Sequence, residues 1–307
     1  MRSFRVIPFT ASVAFRKITD VIASWFHSQR TSTFAIMIIS HPLVQPAFLL
    51  RHVIAGGMLA LAAGLRIAGA DDAAWLQSGT LLFEDSFDRE EDGNLAKAIG
   101  NGWNSATADR VPDVKQADLD GGVLKVINEP RAGHQPHIHH EAGFEDGGAI
   151  VRFKLPEAGK PATLTVGFVD RQTPGVHAGH LCYALVSTKP PQITLADYKT
   201  GVMNLEIQKR RKEYLDRKEK LPDDLAALLA TKSKAFPWPA DHEWHELVLV
   251  TEGDEMRLTL DGKPLGSHRS EGFGHPTKRW FSFLVNPSAW IDDVKVYRVK
   301  ERTVASE

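Results

Sequence analysis

From Leu81 onward, short runs of alternating apolar and polar residues are broken by turn residues, the pattern of half-buried β-strands. "LLFEDSF" (81–87) sets Leu81, Phe83, Asp85 and Phe87 on one face of a strand. "GGVLKVI" (121–127) follows a Gly-Gly turn, and "GGAIVRFKL" (147–155) and "ATLTVGFVD" (162–170) are joined by the Pro/Gly connection "PEAGKPA". "HLCYALVS" (180–187) and "QITLADYK" (192–199) flank Pro190 and Pro191, and "WHELVLVTEGDEMRLTLDG" (244–262) reads as a hairpin turning at Glu252, Gly253 and Asp254. "RWFSFLV" (279–285) and "WIDDVKVYRV" (290–299) close the series. About ten strands in roughly 230 residues predict one all-β, two-sheet sandwich rather than two domains.

One stretch breaks the β pattern. "NLEIQKRRKEYLDRKEKL" (204–221) pairs Glu206/Arg210, Glu213/Arg217 and Asp216/Lys220 at helical i,i+4 spacing. Pro222 stops it, and "PDDLAALLATK" restarts with proline and acids in a first turn, as a second helix does. The spacing predicts a helical hairpin inserted at 203–235. It is either a solvated arm packing Leu225, Leu228 and Leu229 on the sandwich or a docking arm or lid.

The amino-terminal part is different again. "RHVIAGGMLALAAGLRIAGA" (51–70) combines a basic start, an apolar run from Val53 to Leu65 and the small residues Ala68, Gly69 and Ala70, which is the pattern of a signal peptide. Its depth in the chain points to Met37 or Met58 as a start, or to a long basic region over residues 1–50. The apolar stretch 34–50 keeps a membrane anchor open, although Pro42 and Pro46 weaken it as a helix. The expectation is a leader over 1–70, a mature domain over 71–307, a secreted or periplasmic location and no stable membrane insertion after removal of the leader.

Charge narrows the partners. The net charge of −1 conceals an asymmetry, because residues 1–70 hold seven Lys/Arg and one acid, leaving 30 basic and 37 acidic residues beyond them. A domain near −7 repels phosphate backbones, which argues against nucleic acid. The single cysteine, Cys182, excludes an intramolecular disulfide and sits inside a strand without an obvious base, as a buried inert thiol does.

Two acids fall where core residues are expected. Asp85 shares its face with Phe83 and Phe87, and strict alternation puts Asp292 with Trp290, Val294 and Val296. First and last strands of a jelly roll commonly lie side by side, so the two carboxylates have a route to converge. Together with carbonyls of the Gly100–Trp103 turn they form a candidate structural calcium site. The alternative is that each accepts backbone N–H bonds at a strand end or bulge. No other cofactor is implied.

Other chemistry is sparse. "HQPHIHHE" (134–141) puts His137 and His139 on one strand face, a workable metal pair that His177 and His180 could extend, or else a polar strand edge. "HEWHE" (242–246) has its second histidine one residue early for a zinc protease, and no nucleophile elbow, phosphate loop or dinucleotide fingerprint is present. Trp238, bracketed by prolines in "FPWPAD", is a candidate stacking platform for a sugar or a wedge between insertion and sandwich; Trp280 and Trp290 adjoin core strands and read as packing residues.

"LFEDSFDR", "GGVLKV", "GAIVRFKL", "HLCYALV" and "FGHPTKRWFSFLVNPSAWIDDVKVY" resemble the concanavalin A-like lectin/glucanase jelly roll. More closely, they resemble secreted bacterial domains of the 3-keto-disaccharide hydrolase family. The resemblance spans about residues 80–299 outside the helical insertion. It implies a carbohydrate ligand and glycoside hydrolysis, with a non-catalytic glycan- or surface-binding module as the alternative; an interaction protein working through the helical arm stays open. The ending "DDVKVY" also looks like the last strand of bacterial β-glucanases, where the acid matching Asp292 can serve a structural calcium. The glucanase signature E-x-D-x-x-E is absent, the nearest strings being "EEDGNL" and "EGDEMR", and with it the carboxyl pair about 5–5.5 Å apart that a retaining glycosidase needs. The expected sugar site is His139, His180 and Trp238, with His180 the candidate acid/base, provided the loops at 134–140, 177–180 and 236–240 meet at one edge.

Overall fold

The computed structural model describes residues 72–156 and 160–300. The leader expected over 1–70 lies outside the described residues. Among them the chain forms two antiparallel sheets, of eight and seven strands. The first sheet holds β1 (Thr80–Asp85), β3 (Ala117–Leu119), β4 (Leu124–Ile127), β6 (Asp146–Lys154), β11 (His245–Glu252), β12 (Glu255–Leu260), β13 (Lys263–Arg269) and β15 (Ser288–Lys300). The second runs in the order β10 (Ser233–Pro237), β9 (Pro191–Asp197), β8 (His180–Thr188), β7 (Thr163–Val169), β14 (Lys278–Asn286), β5 (His137–Phe144) and β2 (Asn104–Ser105). The alternating patterns explain this outcome: each strand turns one apolar row inward, and the two rows meet. Phe153, Leu249 and Val294 of the first sheet share one buried core with Phe168, Phe281 and Phe283 of the second.

A short helix, α1 (Asp72–Gln77), precedes β1 and covers the outer face of the eight-stranded sheet. Its Leu76 packs with Ile150, Val248, Val250 and Tyr297, and Asp72 accepts a 2.8 Å bond from Arg257. The helical hairpin is α2 (Leu205–Asp216) and α3 (Asp223–Ala230), set between β9 and β10. Residues 233–237 belong to the sheet and not to the insertion, because β10 pairs with β9 from Ser233 to Pro237. Leu225 is buried as expected, but Leu228 is exposed, and α2 buries no residue at all. The ion pairs also differ: Arg210 reaches across to Asp224 at 2.6 Å, and Lys212 takes Asp216.

First and last strands do lie side by side, with Asp85 opposite Val294. Strict alternation fails inside β15, however. The strand changes neighbour on one edge, from β4 at Ser288–Ile291 to β1 at Val294–Arg298, and the register with β6 slips between Asp292 and Val294. Asp293 takes φ +40 there, a bulge that inverts the phase of the strand. Ala289 and Ile291 therefore enter the core together with Val294 and Val296, while Trp290 and Asp292 face outward. Asp292 is not a core carboxylate. Among the described residues no helix is long and apolar enough to cross a membrane.

Candidate functional site

The two acids are held separately, each by nitrogen donors. Asp85 Oδ1 accepts from the Phe87 N–H (2.7 Å) and Arg89 Nη1 (2.7 Å). Its Oδ2 accepts from Arg89 Nη2 (2.9 Å), Asn101 Nδ2 (3.0 Å) and Trp103 Nε1 (2.7 Å). Burial pushes this carboxyl up, but the bonds from Arg89, Asn101, Phe87 and Trp103 outweigh it and hold it below the ordinary aspartate value. Asp292 pairs with Arg152 and accepts its neighbour Asp293's N–H at 2.8 Å. The Gly100–Trp103 turn thus gives N–H donors where a calcium site would need oxygens, and Asp85 has no acceptor capacity left over. These residues do not fit a shared calcium ion; their geometry matches the hydrogen-bonded alternative.

The histidines do converge. On β5, His137, His139 and Glu141 alternate with the core residue Ile138, so they lie on the outer face of the seven-stranded sheet. The ladder across that face reads His139, Ser282, Gly167 and Tyr183, on β5, β14, β7 and β8. Three strand spacings amount to about 14 Å, yet the His137 and His180 rings are 5.7 Å apart, and His137 and His139 5.4 Å. The rings lean together over the small residues in the middle of the row. Gly167 is needed there, since a Cβ would lie 2.6 Å from the Tyr183 ring.

Burial decides their charge. All three imidazoles are at most 7% exposed. Burial, reinforced by the positive neighbours, pulls His137 down to about 3. It pulls His139, beside Arg171, and His180, beside His177, to about 4. At neutral pH each ring has one donor and one acceptor nitrogen. Arg171 Nη2 donates to His139 Nε2 at 3.4 Å, which leaves the ring proton on Nδ1. Tyr183, whose phenol burial keeps protonated, hydrogen-bonds His180 Nδ1 at 2.5 Å. Among the described residues His137 Nε2 and His139 Nδ1 have no partner. The cluster therefore offers unspent hydrogen-bonding capacity on a buried patch, a condition that calls for a ligand or water.

Trp280 and Arg171 wall one side. Trp280 stands edge-on to His139 at 5.2 Å, and the Arg171 guanidinium lies 5.7 Å over its ring. Trp280 is half-buried on the outer face, so its reading as a core packing residue is corrected. The phase of β14, with Phe281 and Phe283 inward, would have revealed this. Tyr183 and Arg171 carried no motif and became visible only through the fold.

Trp238 does not join the site. It is 6% exposed, packs on Phe153 and His245, and donates Nε1 to the Ser187 carbonyl at 2.7 Å. Ser187 lies seven residues along β8 from His180, about 23 Å at strand rise. The loop at 236–240 is thus at the far end of the sheet, and Trp238 is a wedge in the core. Cys182 faces inward, and burial pushes its thiol up to about 12, an inert group. Among the described residues no group of three or more His, Cys, Asp or Glu is arranged to hold a metal.

No protein-family model matches the chain, and no curated protein is similar to it in sequence. Solved structures do show similarity. The laminarinase from Rhodothermus marinus is 15% identical over 73% of this chain and 98% of its own, with a TM-score of 0.49. The endo-β-1,3-glucanase from Pyrococcus furiosus is 15% identical over 73% and 95%, with a TM-score of 0.44. The carbohydrate-binding module CBM66 from Bacillus subtilis is 11% identical over 64% and 95%, with a TM-score of 0.41.

Proposed function

We propose that the histidine-lined face of the seven-stranded sheet binds a carbohydrate and that the protein cleaves keto-disaccharides. The observation that supports this is the convergence of three buried, neutral imidazoles, two of them with a partnerless nitrogen and one against Trp280. Sugars present hydroxyls that both donate and accept, with apolar ring faces that suit an aromatic wall. The site departs from the expected trio by replacing Trp238 with His137 and Trp280.

The cluster suits a keto-sugar better than an ordinary glycoside. Among the described residues no carboxylate bonds to any of the three rings, so a two-carboxyl glycosidase mechanism has no footing there. A carbonyl at C3 makes the neighbouring C2–H acidic. In this scheme the partnerless His137 Nε2 accepts that proton and the partnerless His139 Nδ1 donates to the enolate oxygen, joined by His180 Nε2–H where Tyr183 donates to its Nδ1. The C1–O bond then breaks as a C1=C2 bond forms, and the leaving oxygen takes the proton from His137. Addition of water across C1=C2 completes hydrolysis. Burial keeps His137 unprotonated but also makes it a weak base, which restricts the scheme to such activated C–H bonds. In this scheme His180, the candidate acid/base, becomes a donor positioned by Tyr183.

The test is product analysis with 3-keto-trehalose and trehalose in heavy water. Cleavage of the keto-sugar alone, with deuterium at C2 of the product, is expected. His137→Asn should lower kcat at least 100-fold with little change in binding. Binding heat without product would establish the second reading, a non-catalytic module, which the weak basicity of all three rings favours. Absence of both signals would remove the carbohydrate reading. The signal-like pattern at 51–70 supports export of the mature domain.

A further inference from the structure

Beyond Trp280 the face continues into a second cleft of about 310 Å³, lined by Glu141, Ala142, Gly143, Gln172, Arg279 and Trp280. This is at the lower end of the range of about 300–1,000 Å³ typical of small-ligand clefts. It adjoins the histidine patch at Trp280: Glu141 lies opposite Trp280 in the β5–β14 ladder, and His139 touches the same indole. The segment after β7 serves both sides, with Arg171 turned to His139 and Gln172 to the cleft. Asp170 fixes that segment: its Oδ1 accepts the Gln172 N–H at 2.9 Å and pairs with Arg279 Nε at 3.0 Å, and its Oδ2 faces His275 Nε2 at 3.3 Å.

We infer that this cleft is a second binding subsite, taking a neutral sugar unit joined to the one held by the histidines. The inference rests on the carbohydrate reading of the histidine patch and adds where the second sugar unit sits and which charge it carries. The lining is mixed in kind. Gln172 offers one acceptor and two donors, Glu141 is an acceptor, and Arg279 keeps its two Nη groups after Asp170 has taken Nε. Trp280 supplies the apolar wall for a ring face. The charges offset one another, Arg279 and Arg171 against Asp170 and Glu141, so an anionic unit such as a uronate meets no net attraction. The subsite thus selects a neutral, hydroxyl-rich ring, and the complete ligand is a disaccharide or longer.

The test is calorimetry with glucose, cellobiose, laminaribiose, trehalose, their 3-keto derivatives, galacturonate and digalacturonate, on the full chain and on Gln172→Ala and Glu141→Ala. Both side chains are exposed, so these variants are expected to fold as the parent does. At least one neutral disaccharide should bind at least tenfold tighter than its monosaccharide, and each variant should erase most of that ratio. Digalacturonate should gain nothing over galacturonate. If disaccharide and monosaccharide bind alike, or the ratio survives in both variants, the second subsite is overturned while sugar binding at the histidines stands. If His139→Ala leaves monosaccharide affinity unchanged, or no sugar binds, the reading of the first site falls and takes this one with it.

Discussion

Asp85 is held by five hydrogen bonds from four residues, and it ties the first strand to the Arg89 and Gly100–Trp103 segments. Removing the carboxylate leaves the buried Trp103 N–H and a partly covered Arg89 charge without a partner. Asp85→Ala should therefore cost about 3 kcal/mol, read from urea unfolding curves. Calcium and a chelator should each leave the melting temperature unchanged, because the oxygens are already occupied. A calcium-dependent rise would restore the metal reading. Asp292, by contrast, pairs at the surface with a half-exposed Arg152. Its replacement by alanine should cost no more than about 1 kcal/mol.

At the scale of elements, the bulge in β15 and the helical hairpin are the two departures from regular sandwich structure. Asp293 sits in the left-handed region, where Asp is tolerated and a β-branched residue is not. Asp293→Val should lose about 1–2 kcal/mol, while Asp293→Gly should stay within about 0.5 kcal/mol of the parent. Equal effects of the two would show that the backbone there relaxes out of the bulge. The hairpin buries only Leu225, is tied to the body at its start by the Leu205 N–H on the Gly175 carbonyl (2.9 Å), and has exposed ion pairs. Replacing 205–230 by a short turn joining β9 to β10 should leave the melting transition cooperative, with loss of only a few degrees. Failure to fold would make the arm part of the core.

Across the whole molecule the histidines set the response to acid. His137, His139 and His180 titrate at about 3, 4 and 4 when folded and near 6.5 when unfolded. Between those limits the unfolded chain binds protons that the folded one refuses, so stability rises with pH through this window and falls as pH drops from 6.5 towards 4. Burial lowers His268 and His275 in the same sense. His245 works the other way: burial lowers it, but its bonds to Asp261 and Asp241 win and raise it, so its contribution is lost as pH rises. Unfolding near pH 5 should take up about two to three protons net, measured from urea midpoints between pH 4.5 and 7.5. A triple Gln variant at 137, 139 and 180 should flatten most of that slope. A flat parent profile would mean that the rings are charged in the folded protein.

Period-two alternation is a local property, and it was enough to read the strands at 81–87, 147–155, 162–170, 180–187 and 244–262, the two-sheet class and the shared face of His137 and His139. The helical hairpin was equally legible from its charge spacing and Pro222. What alternation cannot carry is a change of phase, so one extra residue at Asp293 put Asp292 on the wrong side and left Trp290 assigned to the core. Nor does spacing along the chain say which strand ends meet. His180 and Trp238 both sit by turns, but the order of strands in the sheet sends one to the histidine patch and the other to the far end of β8. Only that order sets Ser282 and Gly167 between His139 and Tyr183, where small side chains let rings from separate strands close over the sheet. The charge of the cluster is decided there too, because a histidine's own sequence gives it an ordinary pKa and only packing takes the water away.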